Sequence, residues 1–139
     1  MQWPVTIDVP VRWADLDGAG HVNNANYFTF FETARVEAYY LAKGLAPRAA
    51  KVEDLDIILA RTSCDFRSQA NMGDVLAVSV RPGRVGQTSF ELKYEIREKR
   101  TGRLVAEGDS VQVCFDYARN EKRPVPEWLR KAMGTEASP

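Results

Sequence analysis

Apolar and polar positions change rhythm twice along this chain. Val5 to Trp13 reads as a first strand, with Pro10 interrupting it in a way best tolerated at an edge or bulge. From about Asn23 to Ala42 the period lengthens. Tyr27, Phe28, Phe30, Phe31, Ala34, Ala38, Tyr39 and Leu41 recur at three- and four-residue steps, with Glu32, Arg35 and Glu37 among them. This predicts a helix of about five turns at 3.6 residues each. Asn23 or Asn24 suits its N-cap, and Gly44 suits its stop.

A polar linker runs from about Pro47 to Asp54, and beyond it the period is that of strands. Ile57 to Ala70 is rich in β-compatible residues, Gln69 to Gly73 reads as a turn, and Asp74 to Arg84 alternates again. Gly83 to Gln87 is a hairpin signal, after which Phe90, Leu92, Tyr94 and Ile96 alternate with Glu91, Lys93, Glu95 and Arg97. Thr101-Gly102 makes another turn. The last strand, Leu104 to Asp116, carries Val105, Val111, Val113 and Phe115 on one face. The small residues Ala106, Gly108, Ser110 and Cys114 fall on the other, which lets the long helix approach closely.

The order strand, helix, four strands predicts an α+β fold, a five-stranded antiparallel sheet wrapped around one long central helix. With 139 residues, 1–139 is expected to form a single domain. A loop and short helix, with Pro126 near its first turn, are expected over about 119–134, and a frayed tail over 135–139. One helix covers only one face of the sheet, and apolar residues fall on both faces. Association is therefore expected, as a homodimer joined edge to edge or a homotetramer made by stacking.

Charge removes some classes of partner. Lys and Arg total 19 against 19 Asp and Glu, so no global field favours nucleic acid or an anionic membrane, and an anionic ligand must be held locally. The sequence shows no leader and no apolar run long enough to cross a bilayer, which makes the expectation cytoplasmic. Cys64 and Cys114 are too few for a disulfide scaffold and lack metal spacing. They read as free, buried thiols. A nucleophilic cysteine would need a base, and the sole histidine, His21, is distant from both in sequence.

Val11 to Arg35 is the densest in chemistry. Asp15 and Asp17 precede the Gly18 to Gly20 turn and the start of the helix. A carboxylate beside unpaired backbone N–H groups can direct water, or itself, at a carbonyl while the helix terminus holds the developing negative charge. Asp17 has an ordinary alternative as a turn residue capping local N–H groups. Asp15 reads as a structural partner of Arg12 or Arg35. His21 can orient water or hydrogen-bond the loop, Asn23 and Asn24 can cap the helix, and the aromatic stripe is mostly core.

Trp13-Ala-Asp-Leu-Asp-Gly-Ala-Gly-His-Val-Asn-Asn24, followed by Tyr27, Phe31, Glu32 and Ala34-Arg35, resembles the 4-hydroxybenzoyl-CoA thioesterase type of the hotdog superfamily. Phe66-Arg67-Ser-Gln-Ala-Asn-Met-Gly-Asp74 resembles the family's second-strand and turn pattern. The resemblance implies a hotdog fold and an acyl-CoA thioesterase acting at a subunit interface, with the HVNN form closer to the fatty acyl branch than to the aryl one. It places the catalytic carboxylate on Asp17, as general base or nucleophile, and the polarising main-chain N–H near Asn24. Gly20 lets the chain approach the acyl group, His21, Val22 and Asn23 line the same turn, and Tyr27 is a candidate for touching the acyl group. Arg84 falls where relatives contact the nucleotide. No metal or cofactor is implied, coenzyme A being part of the substrate. The alternatives are a non-catalytic acyl-thioester binding module, a hydrolase of acyl carrier protein thioesters, and a hydratase of enoyl thioesters.

Overall fold

The computed structural model describes residues 1–134, so the tail expected over 135–139 lies outside the described residues. Strand β1 (Val5–Pro10) leads to helix α1 (Asn24–Ala42), and then come β2 (Ile57–Phe66), β3 (Val75–Val85), β4 (Ser89–Glu98) and β5 (Leu104–Asp116). A two-residue β6 (Glu121–Lys122), absent from the sequence expectation, pairs with the end of β5, and α2 (Glu127–Ala132) follows Pro126 directly. The main strands pair antiparallel in the order β1-β3-β4-β5-β2, leaving β1 and β2 at the edges. No helix among the described residues is long and apolar enough to cross a membrane.

The inner face of the sheet carries Leu76, Val78 and Val80 of β3 and Phe90, Leu92, Tyr94 and Ile96 of β4, all buried. Opposite them in register stand Ala106, Gly108, Ser110 and Gln112 of β5. This small face does receive the helix. Phe31, fully buried, stacks on Tyr94 with ring centroids 4.4 Å apart. A Cβ on Gly108 would fall 2.8 Å from the Phe31 ring and 2.2 Å from the Ser63 carbonyl oxygen. Burying one such aromatic side chain contributes about 2–3 kcal/mol.

Polar atoms on this face are satisfied by a one-directional chain. Arg35 donates to the Tyr94 hydroxyl at 3.1 Å, Tyr94 to Ser110 at 2.6 Å, Ser110 to the Gln112 side-chain oxygen, and the Gln112 amide to the Phe90 carbonyl at 3.1 Å. Buried polar groups linked this way avoid the desolvation penalty that an unpaired one would incur.

Four expectations shift. β1 ends at Pro10, not Trp13, because proline has no N–H for the ladder and Trp13–Asp15 turns as a short 3-10 helix. β2 ends at Phe66, not Ala70, because the Arg67 and Ser68 N–H groups both turn onto the Val105 carbonyl, at 2.8 and 3.1 Å. β3 runs through Gly83 and Arg84 to Val85, moving the turn to Gly86, whose N–H meets the Ser89 carbonyl at 2.7 Å. Over β3 and β4 the outer face is not apolar: it presents Ser79, Arg81, Glu91, Lys93, Glu95 and Arg97. On the edge strand β2, Ile58, Leu59 and Phe66 are exposed.

Candidate active site

The chain between β1 and α1 is fastened before it turns. Asp15 is 1% exposed, and its carboxylate accepts the Arg12 backbone N–H at 2.8 Å, the Arg12 guanidinium at 2.8 Å and the Asn26 amide at 3.3 Å. The Arg12 hydrogen bond holds this carboxyl below the usual aspartate range. The Asp15 carbonyl accepts from Asn23 N–H at 2.8 Å. Of its two candidate partners Asp15 therefore takes Arg12, and its job is to hold the loop.

The turn follows. Leu16 and Val22 form an antiparallel bridge, the Asp17 N–H donates to the His21 carbonyl at 2.8 Å, and the Gly20 N–H donates to the Asp17 carbonyl at 3.0 Å. Gly20 sits at φ +80, a conformation that costs any residue with a Cβ. The Asp17 Oδ1 accepts the Ala19 N–H at 2.9 Å, while Oδ2 accepts nothing from the described residues. The turn-capping reading of Asp17 thus uses one oxygen and leaves the other without a donor among the described residues.

Asn23, not Asn24, caps the helix, taking the Ala25 N–H on its side chain at 2.9 Å. Asn24 is the first helical residue, and its N–H meets no acceptor among the described residues. That is the unpaired donor a helix start leaves over.

Asp17, His21, Val22, Asn24 and Tyr27 line one cavity of about 360 Å³, whose opposite wall runs from Phe66 to Gln69. Tyr27 is buried, which raises its phenol above the usual range, and its ring meets Phe66 edge-on at 5.1 Å. Val22 is tied to this wall by its N–H on the Ala70 carbonyl at 3.0 Å. Arg103 supports the wall from behind, donating to the Ser68 hydroxyl and the Gln69 carbonyl, each at 2.7 Å.

Five of the expected site residues are brought together here. Gly20 and Asn23 shape the turn and cap the helix without lining the cavity. Arg84 is not gathered in: it stands ten residues beyond Asp74 along the extended β3, roughly 30 Å away at 3.3 Å per residue. The cations close to the cavity are Arg67, in its wall and paired with Glu107 at 3.0 Å, and Arg103. In the sequence the wall residues read as the end of a strand running to Ala70 and the start of a turn, with nothing to mark them as lining a site.

Neither cysteine lines this cavity. Burial pushes each thiol up to about 11, and the His21 ring meets Asn71, with Nδ1 at 3.2 Å from Oδ1, so no cysteine–histidine pair forms. A carboxylate oxygen without a donor, an unpaired helix-start amide and the apolar side chains of Val22, Tyr27 and Phe66 together suit a reaction that directs water at a polarised carbonyl.

A family model described as the thioesterase-like superfamily matches residues 11–133. The chain is 30% identical over 132 residues to a 1,4-dihydroxy-2-naphthoyl-CoA hydrolase of Synechocystis sp., covering 92% of this chain and 93% of that one. It is 24% identical over 125 residues to the acyl-CoA thioester hydrolase YbgC of Escherichia coli, covering 90% and 89%. Among solved structures, a predicted thioesterase from Bacillus stearothermophilus superposes with TM-score 0.84 at 26% identity over 98% of both chains. A thioesterase from Thermus thermophilus, complexed with coenzyme A and Zn, superposes with TM-score 0.79 at 29% identity, covering 95% of this chain and 98% of that one.

Proposed function

The chain belongs to the thioesterase-like superfamily, with the hotdog-type fold of a sheet curled around one helix, and from that premise we propose that it hydrolyses acyl-CoA thioesters to the free acid and coenzyme A. One observation carries the reading: the Asp17 carboxylate and the start of α1 at Asn24 face a common cavity. Asp17 acts on water or on the acyl carbon itself, and the Asn24 N–H receives the carbonyl oxygen as it gains charge. Such a donor is typically worth about 10²–10³ in rate.

In the water route the oxygen–carbon bond forms as Asp17 takes one proton. The tetrahedral intermediate then expels the thiolate as the C–S bond breaks, and the proton passes from Asp17 to the sulfur. A thiolate leaves readily, so this chemistry asks for no cofactor.

Val22, Tyr27 and Phe66 give the acyl group an apolar surface. The wider motif from Trp13 to Arg35 supports the 4-hydroxybenzoyl-CoA thioesterase type of the family, and its HVNN turn supports a fatty chain. The Tyr27–Phe66 ring pair in the lining and the likeness to a naphthoyl-CoA hydrolase support an aryl group. We further propose a homodimer joined along β2, whose exposed Ile58, Leu59 and Phe66 lie at the sheet edge, Phe66 also in the cavity wall. Sedimentation as a monomer at assay concentration would remove that proposal.

The test is thiol release across short, long and aromatic acyl-CoAs and an acyl carrier protein thioester. Equimolar acid and coenzyme A support the reading, and the ranking of kcat/KM assigns the acyl group and the carrier. Binding without thiol release across the panel contradicts it in favour of a binding module. Loss of an enoyl chromophore without thiol release contradicts it in favour of a hydratase.

A further inference from the structure

The chain has one histidine, and its ring is held by a residue outside the cavity. His21 Nδ1 lies 3.2 Å from Asn71 Oδ1. An amide oxygen accepts and never donates, so Nδ1 carries the proton, and the neutral ring then has its lone pair on Nε2. The backbone enforces the pairing: His21 and Asn71 form an antiparallel bridge, the Asn71 N–H donates to Asp74 Oδ2 at 2.9 Å, and the Asp74 N–H returns to the Asn71 carbonyl at 3.1 Å.

Asp17 stands opposite His21 across the turn, joined by the 2.8 Å backbone bond. Both residues line the cavity, and Asp17 Oδ2 and His21 Nε2 accept no hydrogen bond from the described residues. Two acceptors on one wall are complemented by a molecule with two donors. A water molecule held between them would give one O–H to each, with its oxygen lone pair left for the acyl carbon.

We propose that Asn71 is a positioning residue of the reaction: by keeping the proton on His21 Nδ1 it presents Nε2 as the second acceptor for the hydrolytic water that Asp17 deprotonates. His21 orients the water and takes no proton. The inference rests on the thioesterase reading and selects its water route. Asn71 makes no other side-chain hydrogen bond among the described residues, so its replacement leaves the turn's backbone bonds in place.

The experiment is ¹⁵N NMR of protein labelled at histidine, where a single imidazole gives an unambiguous spectrum, alongside acyl-CoA turnover. In mildly alkaline solution the wild type should show a protonated Nδ1 and an unprotonated Nε2. Asn71→Ala should move the ring toward the Nε2–H form that free histidine prefers and lower kcat roughly tenfold, with KM changed by less than about twofold. Asn71→Asp, which keeps an acceptor, should restore the tautomer and most of kcat. A wild-type ring protonated at Nε2, or an Asn71→Ala enzyme with unchanged kcat, overturns the proposal. Absence of thiol release from the wild type would instead sink the thioesterase reading, and the tautomer alone would then decide what Asn71 does to His21.

Discussion

Asp17 gives its backbone N–H to the His21 carbonyl at 2.8 Å, so the acidic residue is placed by the main chain of the turn although its own side chain is exposed. Gly20 closes the turn at φ +80, whereas Gly18 has no left-handed backbone and no atom within 4 Å of its missing Cβ. Gly20→Ala should therefore lose about 1–2 kcal/mol of stability in urea titrations and lower kcat by displacing Asp17. Gly18→Ala should stay within about 0.5 kcal/mol of the wild type. Equal effects at the two glycines would contradict the turn geometry.

The contact of α1 with β5 depends on Gly108. A methyl group there would overlap the Ser63 carbonyl oxygen and the Phe31 ring. Neither the paired strand nor a fully buried ring stacked on Tyr94 can yield cheaply. Gly108→Ala should cost about 1–3 kcal/mol by denaturant unfolding, and a neutral result would mean that the helix sits farther from the sheet.

Acid should unfold the protein through named carboxyls. The Arg12 hydrogen bond lowers the Asp15 pKa. Burial pushes Asp56 up, but the Tyr39 hydroxyl at 2.6 Å, Lys43 at 3.0 Å and Arg123 outweigh it, and its net shift is also downward. A depressed folded-state pKa means that the stability is complete above the unfolded aspartate value of about 3.9 and drains as pH falls through the lower folded value. Urea midpoints should fall between about pH 4 and pH 2, and Asp15→Asn, less stable at neutral pH, should show a shallower fall across that window. An unchanged slope in the variant would remove Asp15 from the explanation.

The thiols should be silent in the folded state. With Cys64 and Cys114 both pushed up to about 11, only on the order of one thiol in a thousand is ionised at pH 8. A disulfide reagent should label the native protein slowly and both cysteines at once on unfolding. Cys114 is buried and Cys64 only partly so, and rapid labelling of native protein would contradict the raised pKa of both.

The helix was readable almost to the residue because its apolar period is long and its ends carry an asparagine and a glycine. Only the side-chain bond from Asn23 to Ala25 decides between the two candidate caps. The small face of β5 correctly marked where the helix would pack, although Gln112 lies on it too, tolerated because Ser110 and the Phe90 carbonyl satisfy its amide. Strand order was not readable. The placing of β2 beside β5 comes from pairing over long sequence separation, to which local alternation is blind. For the same reason Asp17, His21 and Tyr27 could be named only through the motif's resemblance to a family, whereas the facing wall at Phe66 to Gln69 and the Asn71 partner of His21 could not be named at all. Arg84 does not join the cavity within one chain, because sequence position carries no information about which end of a strand lies beside it.

The most direct test of the central claim is single-turnover thiol release by Asp17→Asn with the best acyl-CoA of the panel, alongside thermal unfolding and coenzyme A binding. The carboxylate reading predicts a loss of about 10³-fold or more in the chemical step with stability and binding unchanged. Release within about tenfold of the wild type would contradict it.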